Sequence, residues 1–121
     1  MRLFKKIFFL LLFVPFIGKS QTEFEKYGPY GVEVYKDLKL ALKVGADVYK
    51  MDLSFQPLDD KYWPKIGKLS NLQALHLSGN TGNFTFPPDF AKLTNLVYLC
   101  SMGNPFKSFP DLRGFQSMMY F

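Results

Sequence analysis

Three residues of the kind that do chemistry stand at equal intervals of twenty-four: Asp52, His76 and Cys100. A carboxylate, an imidazole and a thiol on one surface are donors suited to a soft divalent metal. The same set also suggests a thiol nucleophile with an imidazole base. Either chemistry requires that the interval be structural. If segments of this length stack as neighbouring strands, the three side chains form a column with steps of about 4.8 Å. Such a column has no fourth metal ligand and no oxyanion donor, and it lies on an open, wet face. The sequence therefore assigns no metal, no cofactor and no catalytic residue. The column reads as three surface positions of a non-enzymatic protein.

The interval has its own support. Asn71-Leu72-Gln73-Ala74-Leu75-His76-Leu77-Ser78-Gly79-Asn80 returns twenty-four residues later as Asn95-Leu96-Val97-Tyr98-Leu99-Cys100-Ser101-Met102-Gly103-Asn104. One step back from Leu72, Leu75 and Leu77 lie Val48, Met51 and Leu53, with Gln56 where the asparagines stand. Forward, Pro88-Asp89-Phe90 with Leu93, Leu96 and Leu99 returns as Pro110-Asp111-Leu112 with Phe115, Met118 and Phe121, a step of twenty-two. Leu75 and Leu77 alternate with Ala74, His76 and Ser78, the period of a strand. Leu72, Leu69, Ile66 and Phe90 return on the far side to fill the same core.

A period of about 20–29 residues carrying L-x-x-L-x-L-x-x-N is the pattern of the leucine-rich repeat. The chain resembles that family from Val48 to Phe121. The copy from Leu72 is complete, the copy from Leu96 has Ser101 for its third leucine, and the copy from Val48 is degenerate. The resemblance implies an α/β solenoid with short parallel strands on its concave face. It also implies that Asn80 and Asn104 sit inside turns and bond the backbone of adjacent coils, and that the whole is a rigid scaffold for macromolecular recognition. Strands are expected near residues 49–53, 74–77 and 98–100. The backs, with Pro64 and Pro87-Pro88, are expected to be irregular or a single helical turn. Residues 46–121 then make three coils and the start of a fourth.

Residues 1–20 read as a signal peptide, with a basic start (Arg2, Lys5, Lys6), an apolar run at 7–17 and Gly18-Lys19-Ser20 before cleavage. That run is too short for the roughly 20 apolar residues of a membrane span, so no span is expected after signal removal. The segment holds four of the 15 basic residues and none of the 10 acidic ones, so the net charge of +5 falls to about +1 without it. The basic pI then argues nothing for nucleic acid. Cys100 is the single cysteine, which excludes an internal disulfide. No cysteine follows the apolar run, as a lipoprotein anchor would require. The expected location is exported: secreted, periplasmic or cell-surface.

Residues 21–45 are expected to form a lead-in and a helix over 32–44, with Val34, Leu38, Ala41 and Leu42 on its apolar stripe and Gly45 as its stop. In this position the helix would cap the open end of the solenoid. Outward positions should align as columns: Lys50, Ala74, Tyr98 and Tyr120; Asp52, His76 and Cys100; Ser54, Ser78 and Met102. The expected contact surface for a protein or glycan ligand is Lys50, Asp52, His76, Tyr98, Cys100, Met102 and Tyr120, with the tyrosines as exposed anchors. Tyr62 and Trp63 are expected to pack inward, and Asn83-Phe84-Thr85 is a glycosylation sequon on paper. The chain stops inside its fourth strand, which reads as an N-terminal fragment. The alternative function is a structural spacer at the start of a larger surface protein or enzyme whose active domain lies beyond Phe121.

Overall fold

The computed structural model describes residues 26–81, 85–104, 113 and 115, and the backbone of 118–120. Residues 1–25, which include the expected signal segment, residues 82–84 and most of the stretch after Asn104 lie outside the described residues. Strands β1 (Val34–Tyr35), β2 (Lys50–Asp52), β3 (Ala74–His76), β4 (Tyr98–Cys100) and β5 (Met118–Tyr120) form one sheet in sequence order. Every pairing is parallel. With few helices beside it, this is a small α/β arrangement.

The register carries the interval. Lys50 pairs with Ala74 and Ala74 with Tyr98; Asp52 pairs with His76 and His76 with Cys100. Tyr98 then pairs with Met118, and Cys100 with Tyr120. This corrects the expected step of twenty-two at the last strand. The step is 20, so Tyr120 stands beside Cys100 and not beside Tyr98. A slip of two residues leaves each residue on the same side of the sheet, which is why the alternation could not reveal it.

Residues 32–37 are not helical. Val34 and Tyr35, a β-branched and an aromatic residue, pair with Lys50 and Met51 as the edge strand. Helix α1 is Leu38–Val44. Asp37 has extended φ/ψ, and its carboxylate accepts from the backbone N–H groups of Lys39 (2.8 Å) and Leu40 (3.3 Å), which starts the helix there. Gly45, at φ 75°, ends it by donating its N–H to the Ala41 carbonyl. Leu38 and Ala41 are buried and Leu42 packs against the core, as the stripe implies.

The core lies on one side of the sheet. Val48, Met51 and Leu53, then Leu72, Leu75 and Leu77, then Leu96 and Leu99 are all buried in it, with Ile66, Leu69, Phe90 and Leu93 returning from the back. The returns are 3₁₀ turns at Trp63–Lys68 and Pro88–Lys92. Pro64 and Pro88 sit in their first turns, where a missing N–H costs nothing. The two turns approach closely at Gly67, where a Cβ would stand 2.3 Å from the Asp89 carbonyl oxygen. Trp63 is buried as expected, edge-on to Phe86, and its Nε1–H donates to the Thr85 carbonyl at 3.1 Å.

Side-chain amides tie each segment to the one before. Asn80 Nδ2 donates to the carbonyls of Leu53 (2.6 Å) and Gln56 (2.8 Å), and Asn104 Nδ2 to that of Leu77 (2.9 Å). The Asn104 side-chain Oδ1 accepts from the Asn80 backbone N–H at 2.7 Å. At the opposite ends of the strands, Asn71 and Asn95 donate to the carbonyls of Ala46 and Ser70, both at 2.8 Å. Backbone groups that leave a strand are thereby satisfied. Among the described residues, no helix is long and apolar enough to cross a membrane.

Candidate functional site

The face of the sheet away from the core holds the described residues expected to meet a partner, and it divides into a covered part and an open part. Lys50, Tyr98 and Cys100 are only 1%, 4% and 5% exposed, and Ala74 is buried with them. These positions were expected to be open. Over Lys50 and Tyr98 the cover is the chain's own segment before β1. The Tyr27 ring stacks on that of Tyr98 with centroids 4.6 Å apart. A Cβ on Gly28 would stand 3.2 Å from Gln73 Oε1 and 3.4 Å from Lys50 Cε, and φ 98° there also suits glycine. Ala74, Tyr98 and Cys100 form a small second core with Tyr27 and Val34. The Tyr27 hydroxyl is buried there, with no hydrogen-bond partner among the described residues.

The open part lies at the strand ends. Asp52 and His76 are half-buried, and Met102 is 52% exposed. Tyr120 is placed beside Cys100 by register, and its side chain lies outside the described residues. The Asp52, His76 and Cys100 column is real as a column, but its members do not converge. Asp52 Oδ1 accepts from the Ser54 N–H at 3.0 Å. His76 Nε2 and Ser78 Oγ share a hydrogen bond of 2.9 Å, and Ser78 Oγ in turn lies 3.5 Å from Cys100 Sγ. Ser78 thus stands between imidazole and thiol, and its hydroxyl joins the columns instead of freeing a nucleophile. Among the described residues, no three His, Cys, Asp or Glu side chains are grouped to hold a metal ion.

Beside this column is a cleft of about 330 Å³ lined by Lys36, Asp52, Ser54, Phe55, Gln56 and His76. The chain positions it economically. Gln56 Nε2 donates to the Lys36 carbonyl at 3.1 Å, which joins the turn after β2 to the residue after β1. Phe55 stands at φ 58°, a left-handed conformation that β-carbons disfavour. Its backbone N–H donates to the Ser78 carbonyl at 2.8 Å, so neighbouring segments hold it there. One and two steps on, the same turn position is Gly79 at φ 61° and Gly103 at φ 71°. The Phe55 ring rests on Gly79, where a Cβ would meet it at 2.7 Å, yet the residue is 81% exposed. Sequence reasoning passed over Phe55, Gln56 and Lys36 as site residues. The signal was present: in the twenty-four-residue alignment, a phenylalanine occupies the place of two glycines. No family model, curated protein or solved structure matches the chain.

Proposed function

We propose that the chain is an exported leucine-rich-repeat coil, a non-enzymatic module that recognises a protein or glycan through the open part of its outer sheet face. The observation that carries this reading is the constant step. Strand pairs, asparagine bonds and glycine turns all recur one segment later, as stacking of equivalent coils requires. Such stacking yields a firm surface whose exposed residues differ while the frame beneath them repeats. On this reading, β1 and α1 cover the first coil together, the edge strand before β2 and the helix beside the first back turn. The contact residues are Asp52, His76 and Met102, with Phe55 and Gln56 added. Lys50, Tyr98 and Cys100 serve the frame.

The test sets the face against the back. A ligand captured on the exported full chain should be lost with the His76→Ala/Met102→Ala double variant. It should be retained with Lys65→Ala/Lys92→Ala, which alters the exposed back turns. The reverse pattern refutes the reading. One observation favours the alternative of a structural spacer within a larger surface protein: Tyr27 closes part of the face from within.

A further inference from the structure

We infer that the cleft beside Phe55 is a saccharide subsite, with the Phe55 ring as platform for the C–H face of a pyranose. The inference rests on the recognition reading and narrows it to one ligand class. Its first support is the backbone. Phe55 holds a left-handed conformation at a position that is glycine in the next two turns, and it gains almost no burial by being phenylalanine. A strained residue persists only where the surroundings enforce it, and such residues gather at ligand sites. The second support is the ring's neighbourhood. An aromatic face carries negative charge density that attracts the hydrogens of a C–H face. Around it stand groups matched to vicinal hydroxyls, which both donate and accept. Asp52 uses Oδ1 on Ser54 N–H, and Gln56 uses Nε2 on the Lys36 carbonyl. Asp52 Oδ2, Gln56 Oε1 and the Lys36 ammonium have no protein partner among the described residues.

The rival occupant is a partner protein that closes a pocket over Phe55. Anchors of that kind work in dry, fully desolvated pockets. Closing one here would also desolvate the five polar side chains that line the cleft, at a cost for each left unpaired. A sugar supplies the missing hydrogen bonds in the same space, so the saccharide is the better fit.

The experiment titrates the exported full chain with chitohexaose, cellohexaose and mannohexaose, and compares Phe55→Gly, Phe55→Ala and Phe55→Tyr. Phe55→Gly is the informative variant because glycine is the residue of the equivalent turns, so its melting temperature should be at or above that of the parent. At least one oligosaccharide should bind. Phe55→Gly and Phe55→Ala should weaken it about tenfold or more, the size expected for a lost aromatic anchor, and Phe55→Tyr should retain it. Binding unchanged in a folded Phe55→Gly overturns the subsite and leaves recognition elsewhere on the face. No saccharide binding, with a protein ligand captured through His76 and Met102, overturns the sugar and keeps the recognition reading. No binding to either overturns both.

Discussion

Replacing Asn80 tests the frame most directly. The side chain is buried, and its Nδ2 group donates to two carbonyls of the preceding segment, Leu53 at 2.6 Å and Gln56 at 2.8 Å. Its Oδ1 atom has no hydrogen-bond partner among the described residues. All of its value therefore lies in the donor half. Asn80→Leu strips the donor from two carbonyls, and a buried group left unsatisfied costs about 1–3 kcal/mol. Water reaching the Gln56 side offsets part of this, since that bond is only part-buried. A net loss of about 2–4 kcal/mol follows. Asn80→Asp is the sharper variant. It preserves shape but turns the donor into a second acceptor facing two carbonyl oxygens, so it should lose at least as much. Urea denaturation of the full chain is the assay, with the midpoint falling at unchanged slope. If Asn80→Asp melts within about 0.5 kcal/mol of the parent, as an ordinary surface change would, the amide is not what joins the segments.

Other outcomes separate core, face and cover. Leu75→Ala should cost about 2–5 kcal/mol in the same assay, and His76→Ala less, about 1–2 kcal/mol, from its Ser78 hydrogen bond and its edge contact with Tyr98; equal losses would mean the strand register is wrong. Gly67→Ala should cost about 1–3 kcal/mol, because the new Cβ meets the Asp89 backbone, which cannot rotate away; a neutral melt would mean the back turns are farther apart than described. Tyr27→Ala removes the ring stacked on Tyr98 from the second core, so it should cost about 1–3 kcal/mol in the same assay; a neutral melt would show that Tyr27 is no cover.

The periodic parts of the fold were legible in the sequence because their signals are local and repeated. Leu75 and Leu77 alternate with smaller or polar neighbours, and the same alternation recurs one step away, so strands β2 to β4 and the inward leucines could be placed by comparing copies. The turn asparagines recur at the same step, and the resemblance supplied their bonding role. What resisted reading depends on single events. Val34 lies four residues before Leu38, so it falls on the helical stripe by spacing alone, and only the Asp37 cap shows that the helix starts later. Tyr27 stacks on Tyr98 and Gly28 comes close to Lys50, and neither has a periodic partner that would announce the cover. The Phe55 conformation was encoded in the repeat alignment and needed only the question of what φ the two glycines share.

The Tyr27 stack has a kinetic consequence. Hydrogen bonds between side chains of one segment and groups of the next span 20 to 27 residues, from Gln56 with Lys36 to Asn80 with Leu53. Each segment therefore closes a loop of nearly constant length, at an entropic cost of about 3 kcal/mol by the logarithmic rule, and adding segments does not lengthen the search. Tyr27 on Tyr98 spans 71 residues and skips the intervening steps. Its stacking on Tyr98 can form only once β4 has placed that ring. The Tyr27 stack is therefore expected to close after the sheet beneath it has formed, an order that pulsed hydrogen exchange during refolding would test.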